Sequence, residues 1–154
     1  MSPSISRDEL ALWSRLVYEI SGISLDESKG YLIETRLGPL LRETGAASFT
    51  ALYSQVKGNP NGLRQKVIDA ITTNETSFFR DGAPFELLQH KLIPELIDRR
   101  KKSGVGPRVS IRLWSAACAT GQEAYTTAII LKELLGDLGR YDIRILGTDI
   151  SNQA

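Results

Sequence analysis

Cysteine, histidine and methionine each occur once among the 154 residues, as Cys118, His90 and Met1. A lone cysteine excludes an intrachain disulfide, and with one histidine it offers too few soft ligands for a zinc cluster, so no metal is expected. No apolar run approaches the roughly 18 residues that a membrane helix needs, and the opening MSPSISRDEL lacks a basic segment followed by an apolar one. A cytoplasmic protein without membrane insertion is the expectation. Dominance of one charge is missing too: 19 Lys plus Arg stand against 18 Asp plus Glu, for a net charge of +1. The residues before Asp81 hold nine basic and nine acidic side chains and the rest ten and nine, so neither half is a basic module and no nucleic-acid partner is expected. What is present is ordinary. With 42% hydrophobic and 24% charged residues, the chain belongs with folded globular proteins rather than disordered ones.

The first half reads as helices throughout. Ser6 and Glu9 have the spacing of a capping box, and Leu10, Trp13, Leu16, Val17 and Ile20 recur on one face, which predicts a helix over Arg7 to Ser21 ended by Gly22. A second helical pattern starts near Asp26 and carries Leu32, Ile33, Leu37, Leu40 and Leu41, with Gly38 and Pro39 expected to kink or split it and Gly45 to close it. Ser48 suits the cap of a short helix burying Phe49, Leu52, Tyr53 and Val56. The run from Gly58 through Asn59, Pro60 and Asn61 to Gly62 is a turn signal, after which Leu63, Val67, Ile68 and Ile71 resume a helical period. A further helix is expected from Pro84 to about Lys102, on Phe85, Leu88, Leu92, Leu96 and Ile97. Arg99 to Lys102 then complement the dipole at its C-terminal end, or form a site for phosphate or an acidic partner.

Past the loop formed by Ser103, Gly104, Val105, Gly106 and Pro107, the grammar changes. Val109, Ile111 and Leu113 alternate with polar residues up to Trp114 as a strand; Ala116 to Gly121 are small; Glu123 to Leu135 read as a helix; Tyr141 to Leu146 read as a second strand, leading to Asp149. Strand, small-residue loop, helix and strand ending in an acid open a parallel α/β sheet. The fold class is therefore a two-part α+β chain, an all-α bundle followed by one βαβ unit. Its boundaries fall as a helical domain over 1–80 with a linker at 71–81, a connecting helix and loop over 82–107, and an incomplete α/β domain over 108–154.

A nucleoside ligand at such strand ends needs close backbone approach at the first turn and an acceptor for ribose hydroxyls after the second strand. Ser115 to Gly121 and Asp149 meet both needs, although packing of helix on sheet also favours small residues there. The loop lacks Gly-x-Gly-x-x-Gly, which argues against a dinucleotide pyrophosphate. The segment ITTNETSFFRD, Ile71 to Asp81, is the other concentration of chemistry. On physical grounds alone Asn74 or Thr76 can cap a helix, Phe78 and Phe79 can be core, and Arg80 can pair with Asp81.

Taken in order, ITTNETSFFRD, RLWSAACATGQEAYT and LGTDIS resemble the chemotaxis receptor methyltransferases, the CheR-type family of protein-glutamate O-methyltransferases. The resemblance spans nearly the whole chain. It implies a helical N-terminal domain followed by the opening of a class I, Rossmann-like methyltransferase domain that binds S-adenosyl-L-methionine and releases S-adenosyl-L-homocysteine. Carried across by position, it makes Asn74, Thr76, Arg80, Glu123 and Asp149 cofactor-binding residues, with Arg80 also beside the transferring methyl and the substrate carboxylate. Gln122 stands where relatives often have a second glutamate. The partner implied is a methyl-accepting chemoreceptor, docked through a basic second helix of which Lys29, Arg36 and Arg42 remain, diluted by Glu34 and Glu43.

A carboxylate is already ionised near neutral pH and a sulfonium methyl is already activated, so the reaction requires no general base. Orientation is the main task, and the single histidine is no objection. His90 is expected on a solvent-facing helix surface and Cys118 to pack rather than react. The chain ends before the family's later motif with an asparagine and a tyrosine, and two strands with one helix leave a sheet face and edges open. A fragment inactive by itself, or one that self-associates, is the resulting expectation. The alternative is a non-catalytic docking module carrying a remnant cofactor site.

Overall fold

The computed structural model describes residues 4–58, 62–104 and 107–154. Asn59, Pro60 and Asn61 of the expected turn, and Val105 and Gly106 of the expected loop, lie outside them. The chain forms two compact units, residues 1–73 with 150–153, and residues 74–149 with Ala154. The segment from Asn74 clusters with the second unit rather than with the helices before it, because the backbone N–H of Phe79 bonds to the buried hydroxyl of Thr126 at 3.2 Å.

In the first unit, α1 (Arg7–Ser21) begins at Ser6, whose hydroxyl accepts from the Glu9 N–H while the Glu9 carboxylate accepts from the Ser6 N–H. Gly22, left-handed at φ 74°, ends it. A 3-10 turn (Glu27–Lys29) capped by Asp26 leads into α2 (Gly30–Thr44), which ends on left-handed Gly45. The expected split at Gly38 and Pro39 does not occur. Pro39 faces solvent, where the Thr35 carbonyl deprived of its helical donor can take water, while Leu37, Gly38, Leu40 and Leu41 are buried on the other side. Helices α3 (Phe49–Gly58) and α4 (Leu63–Ile71) complete a core of Trp13, Leu16, Ile33, Leu37, Phe49 and Leu52. The Trp13 indole is satisfied inside it, donating to the Phe49 carbonyl at 3.0 Å.

Glu9 also ties α1 to α3, accepting from the Thr50 N–H at 2.8 Å and its hydroxyl at 2.9 Å. Burial disfavours its charge, but the hydrogen bonds from Ser6 and Thr50 prevail and hold its pKa below the ordinary 4.5. Glu9→Ala is expected to cost about 1–2 kcal/mol of unfolding free energy near neutral pH. A depressed carboxylate stabilises the fold above its unfolded pKa and loses that contribution as pH falls through the folded value, so the deficit should shrink below about pH 4. Urea titrations at pH 7 and at pH 3.5 compare the two; an equal deficit at both would rule out the carboxylate as its source.

The second unit opens with α5 (Gly82–Leu87), a π turn (Leu88–Leu92) and α6 (Ile93–Lys102), where the sequence predicts one uninterrupted helix. Pro94 supplies the reason: it has no N–H for the carbonyl four residues earlier, and the turn ahead of it widens so that the Ile93 N–H bonds to the Leu88 carbonyl, five residues back. His90 lies exposed in this turn, and Arg99 to Lys102 are exposed at the end of α6. Strands β1 (Val109–Ala116) and β2 (Tyr141–Thr148) pair in parallel from Val109 opposite Tyr141 to Ala116 opposite Thr148, joined by α7 (Gln122–Leu135). Ile111, Leu113, Ile143 and Ile145 pack against Ile93 and Ile97 of α6 and Leu131 of α7. On the opposite face Trp114 is 70% and Leu146 60% exposed. Among the described residues no helix is long and apolar enough to cross a membrane.

Candidate active site

Parallel strands direct their C-terminal ends toward the turns that follow them, and here both ends are drawn together by hydrogen bonds. The Cys118 N–H reaches the Thr148 carbonyl at 3.0 Å, and the Asp149 carboxylate accepts from the Ala119 N–H at 2.9 Å. Trp114 adds a side-chain link, its Nε1 donating to the Thr148 hydroxyl at 2.8 Å. Cys118 packs, as expected: a methyl group placed on Gly147 would stand 3.1 Å from its sulfur, so the close approach depends on glycine there.

Among the described residues, non-glycine backbone in the left-handed region gathers at two places. Phe79 and Asp81 have φ 54° and 53° just before α5, and Ala117 and Ala119 have φ 57° and 46° in the turn after β1. Non-glycine residues are held so only where the surroundings over-determine them, and such residues concentrate at binding sites. The phenylalanines themselves do not form core. Phe78 and Phe79 are 54% and 53% exposed, because the chain reverses through Phe79 with its N–H held by Thr126 and its ring turned outward.

A cleft of about 430 Å³ opens among Arg80, Asp81, Phe85, Trp114, Ser115 and Glu123, within the range of small-molecule sites. Of the five residues that the resemblance makes cofactor-binding, Arg80 and Glu123 line it, one cation and one anion, and Ser115 and Ala116 of the small-residue turn line it as well. Arg80 stands near Asp81, Nε to carboxylate 3.7 Å, and donates from Nη1 to the Glu75 carbonyl at 2.9 Å. Glu123 occupies the first turn of α7, where a carboxylate suits the helix dipole. Asn74, Thr76 and Asp149 are outside the lining. Asp149 is engaged with the turn after β1, and Asn74 and Thr76 belong to the segment leading to Arg80.

Two hydroxyls fit the requirements of a ligand that brings its own donors and acceptors. Thr76 Oγ1 and Ser115 Oγ are buried with no hydrogen-bond partner among the described residues, a state that folded proteins rarely tolerate without an occupant such as water or a ligand. With opposite charges in the cleft and a carboxylate at the second strand end, the charges and acceptors present fit the charged and hydroxyl groups of an amino-acid nucleoside. Sequence reasoning did not single out Asp81, Phe85, Trp114 or Thr126. Ser115 carried a signal, being the last residue of β1 on the helix-covered side.

The three docking residues have different surroundings. Lys29 is 3.6 Å from the Asp26 carboxylate, and Arg42 is exposed in the last turn of α2. Arg36 is turned inward to the chain after α4, donating to the Thr72 carbonyl at 3.0 Å and the Thr73 hydroxyl at 3.2 Å.

A strand, a tight turn of small residues, a crossover helix and a second parallel strand ended by an acid define an α/β protein of the nucleoside-binding class. The chain belongs to the CheR methyltransferase family: residues 74–154 match its SAM binding domain and residues 8–72 its all-alpha domain. It is 42% identical over 135 residues to the chemotaxis protein methyltransferase Cher2 of Pseudomonas putida, a match covering 84% of this chain and 46% of that protein. It is 38% identical over 152 residues to chemotaxis protein methyltransferase 1 of Pseudomonas aeruginosa, covering 96% and 53%. The chemotaxis protein methyltransferase of Borreliella burgdorferi is 37% identical over 150 residues, covering 96% and 52%. The chain spans about half the length of the curated relatives it matches.

Proposed function

We propose that the protein to which this chain contributes methylates glutamate side chains on the cytoplasmic domain of a chemoreceptor, using S-adenosylmethionine in the cytoplasm. The observation that carries this reading is the pairing of Arg80 and Glu123 in one cleft beside the strand ends, inside the stretch that matches a SAM binding domain. When bound, S-adenosylmethionine supplies a methyl on cationic sulfur, which passes to a carboxylate oxygen while the carbon–sulfur electron pair stays on sulfur as a neutral thioether.

The residues of the chain have positioning tasks. Arg80 holds a carboxylate at the mouth of the cleft, and its planar guanidinium can direct one oxygen inward while pairing with the other. Glu123 and Asp149 anchor the two ends of the bound molecule, so that its reactive centre faces Arg80. No proton has to move, since the attacking carboxylate is ionised and the product ester carries no charge. Phe85 and Leu113 supply apolar wall, which limits water and strengthens the charge interactions inside. Lys29 and Arg42 are the cations we propose for contact with an acidic receptor surface.

The docking-module alternative is not favoured: the stretch after Thr73 matches a cofactor-binding domain, and the relatives are named as methyltransferases. Incubation of the whole protein to which the chain contributes with methyl-tritiated S-adenosylmethionine and a receptor cytoplasmic fragment tests the proposal. Label should enter the fragment and leave it as volatile methanol in alkali, the behaviour of a carboxyl ester. Alkali-stable label, or none, would overturn it.

A further inference from the structure

A second cleft, of about 350 Å³, lies inside the second unit at the other end of the strands. It opens where α6 ends and the strands begin, and Val109 and Tyr141, the first pair of the parallel register, line it. Ser115 and Ala116 of the cofactor cleft stand at the far end of β1, so at about 3.3 Å per residue the two clefts are about 20 Å apart. Arg100, Lys101, Arg108 and Arg140 surround the second cleft, and among the described residues no acid lines it. In a chain of net charge +1 that is a local concentration of charge. Lys66, Arg80 and Arg112 each stand beside a carboxylate, but among the described residues no hydrogen bond or ion pair takes up the side chain of any of these four. The Asp142 carboxylate feels Arg108, yet it is paired with Arg112 and stands 3.8 Å from Arg144 Nε. Carbonyls at the end of α6, which would repel an anion, are engaged within the chain. That of Arg99 accepts from the Ser103 N–H at 3.2 Å and its hydroxyl at 2.9 Å, and that of Lys101 from the Gly104 N–H at 3.3 Å.

The geometry points to a second binding site, for a diphosphate group, either free as pyrophosphate or carried by a nucleoside diphosphate. Like charges gathered without counter-charge repel one another, and a bound anion removes that cost. The volume lies within the range of small-molecule sites, and concavity favours a small ligand over a folded acidic partner, whose contact would spread over about 800 Å² on each side. Two phosphates, each carrying about 1.5–2 negative charges near neutral pH, match four cations, whereas carboxylates would need four groups in the same space. Arginines predominate among the four, and their planar forks pair with two phosphate oxygens at once. Tyr141 packs against the core beneath the sheet while lining the cleft, which gives the site a fixed wall beside its long cationic side chains. The site shares no lining residue with the cofactor cleft and stands apart from the proposed methyl transfer.

Calorimetric titration of pyrophosphate, in metal-free buffer, into the whole protein to which the chain contributes tests this. Pyrophosphate should bind about tenfold or more tightly than orthophosphate, and more weakly as salt is raised. Saturating S-adenosylhomocysteine should leave that affinity within about twofold, as expected of separate sites. ADP, titrated in its presence, identifies the source: binding by ADP assigns a nucleotide, and binding by pyrophosphate alone assigns the free anion. Arg108→Ala combined with Arg140→Ala should weaken pyrophosphate binding about tenfold or more, while the ligand-free protein unfolds at an unchanged or slightly higher temperature because exposed like charges are gone. Should that variant fail to fold, Arg140→Gln alone is held to a loss of about threefold. Equal affinity for orthophosphate, sulfate and pyrophosphate would mark general attraction to a basic surface, and tighter binding of a poly-glutamate peptide would mark an acidic protein partner. Undiminished binding by the variants would place the anion elsewhere. Each of these overturns the inference, as does absence of pyrophosphate binding by the whole protein.

Discussion

Asp149→Ala is expected to weaken S-adenosylhomocysteine binding about 150-fold or more, because hydrogen bonds to a charged acceptor contribute about 1.5–3 kcal/mol each and the two ribose hydroxyls proposed to bind there lose theirs. The Ala119 N–H loses its acceptor as well, which loosens a turn already held in left-handed backbone. Asp149→Asn separates the two contributions. It keeps an oxygen for Ala119 but is a weaker, neutral acceptor, and should fall between the alanine variant and the unaltered chain. Unchanged affinity in the alanine variant would remove Asp149 from the site, whatever the fate of the other residues.

Arg80→Ala is expected to lower kcat for methyl transfer to a receptor fragment about 100-fold, the cost of a misplaced nucleophile when orientation supplies most of the rate. Affinity for S-adenosylhomocysteine should change less, by about tenfold at most, since the lost interaction is shared with the incoming carboxylate. Arg80→Lys keeps the charge without the planar fork, and should recover only part of the rate. Thermal unfolding provides the control, because Arg80 also donates to the Glu75 carbonyl and an unfolded variant would mimic a catalytic one. A fully active Arg80→Ala would place the carboxylate elsewhere in the cleft.

Much of this protein was legible residue by residue. The ends of α1 follow from a capping box at Ser6 and Glu9 and a glycine at position 22, signals that act within one turn of the chain and so need no knowledge of the rest. The same holds for β1, whose alternation marks the face that α6 and α7 cover. Local signals failed where a distant contact outweighed them. Pro39 did not divide α2, because the burial of Leu37, Leu40 and Leu41 on the opposite side holds the helix together. The pattern from Pro84 to Lys102 predicts one helix, yet Pro94 within it shifts hydrogen bonding in the turn before it by one position.

Of the candidate site, the sequence by itself determined which residue types stand in which order: an arginine after two phenylalanines, a glutamate opening a helix, an acid after the second strand. Those identities set the chemistry, since charge and hydrogen-bonding capacity belong to the side chain wherever it lies. Tertiary structure alone decided which of them meet. It brought Arg80 and Glu123 to one cleft, gave the Asp149 carboxylate to the turn after β1, and turned Arg36 toward the chain after α4. It also gave Asp69 its grip on the residues following Asp149. The physical reason is common to all four: partners far apart in the sequence are chosen by burial and hydrogen-bond satisfaction in the folded chain, and no periodicity or spacing encodes that choice.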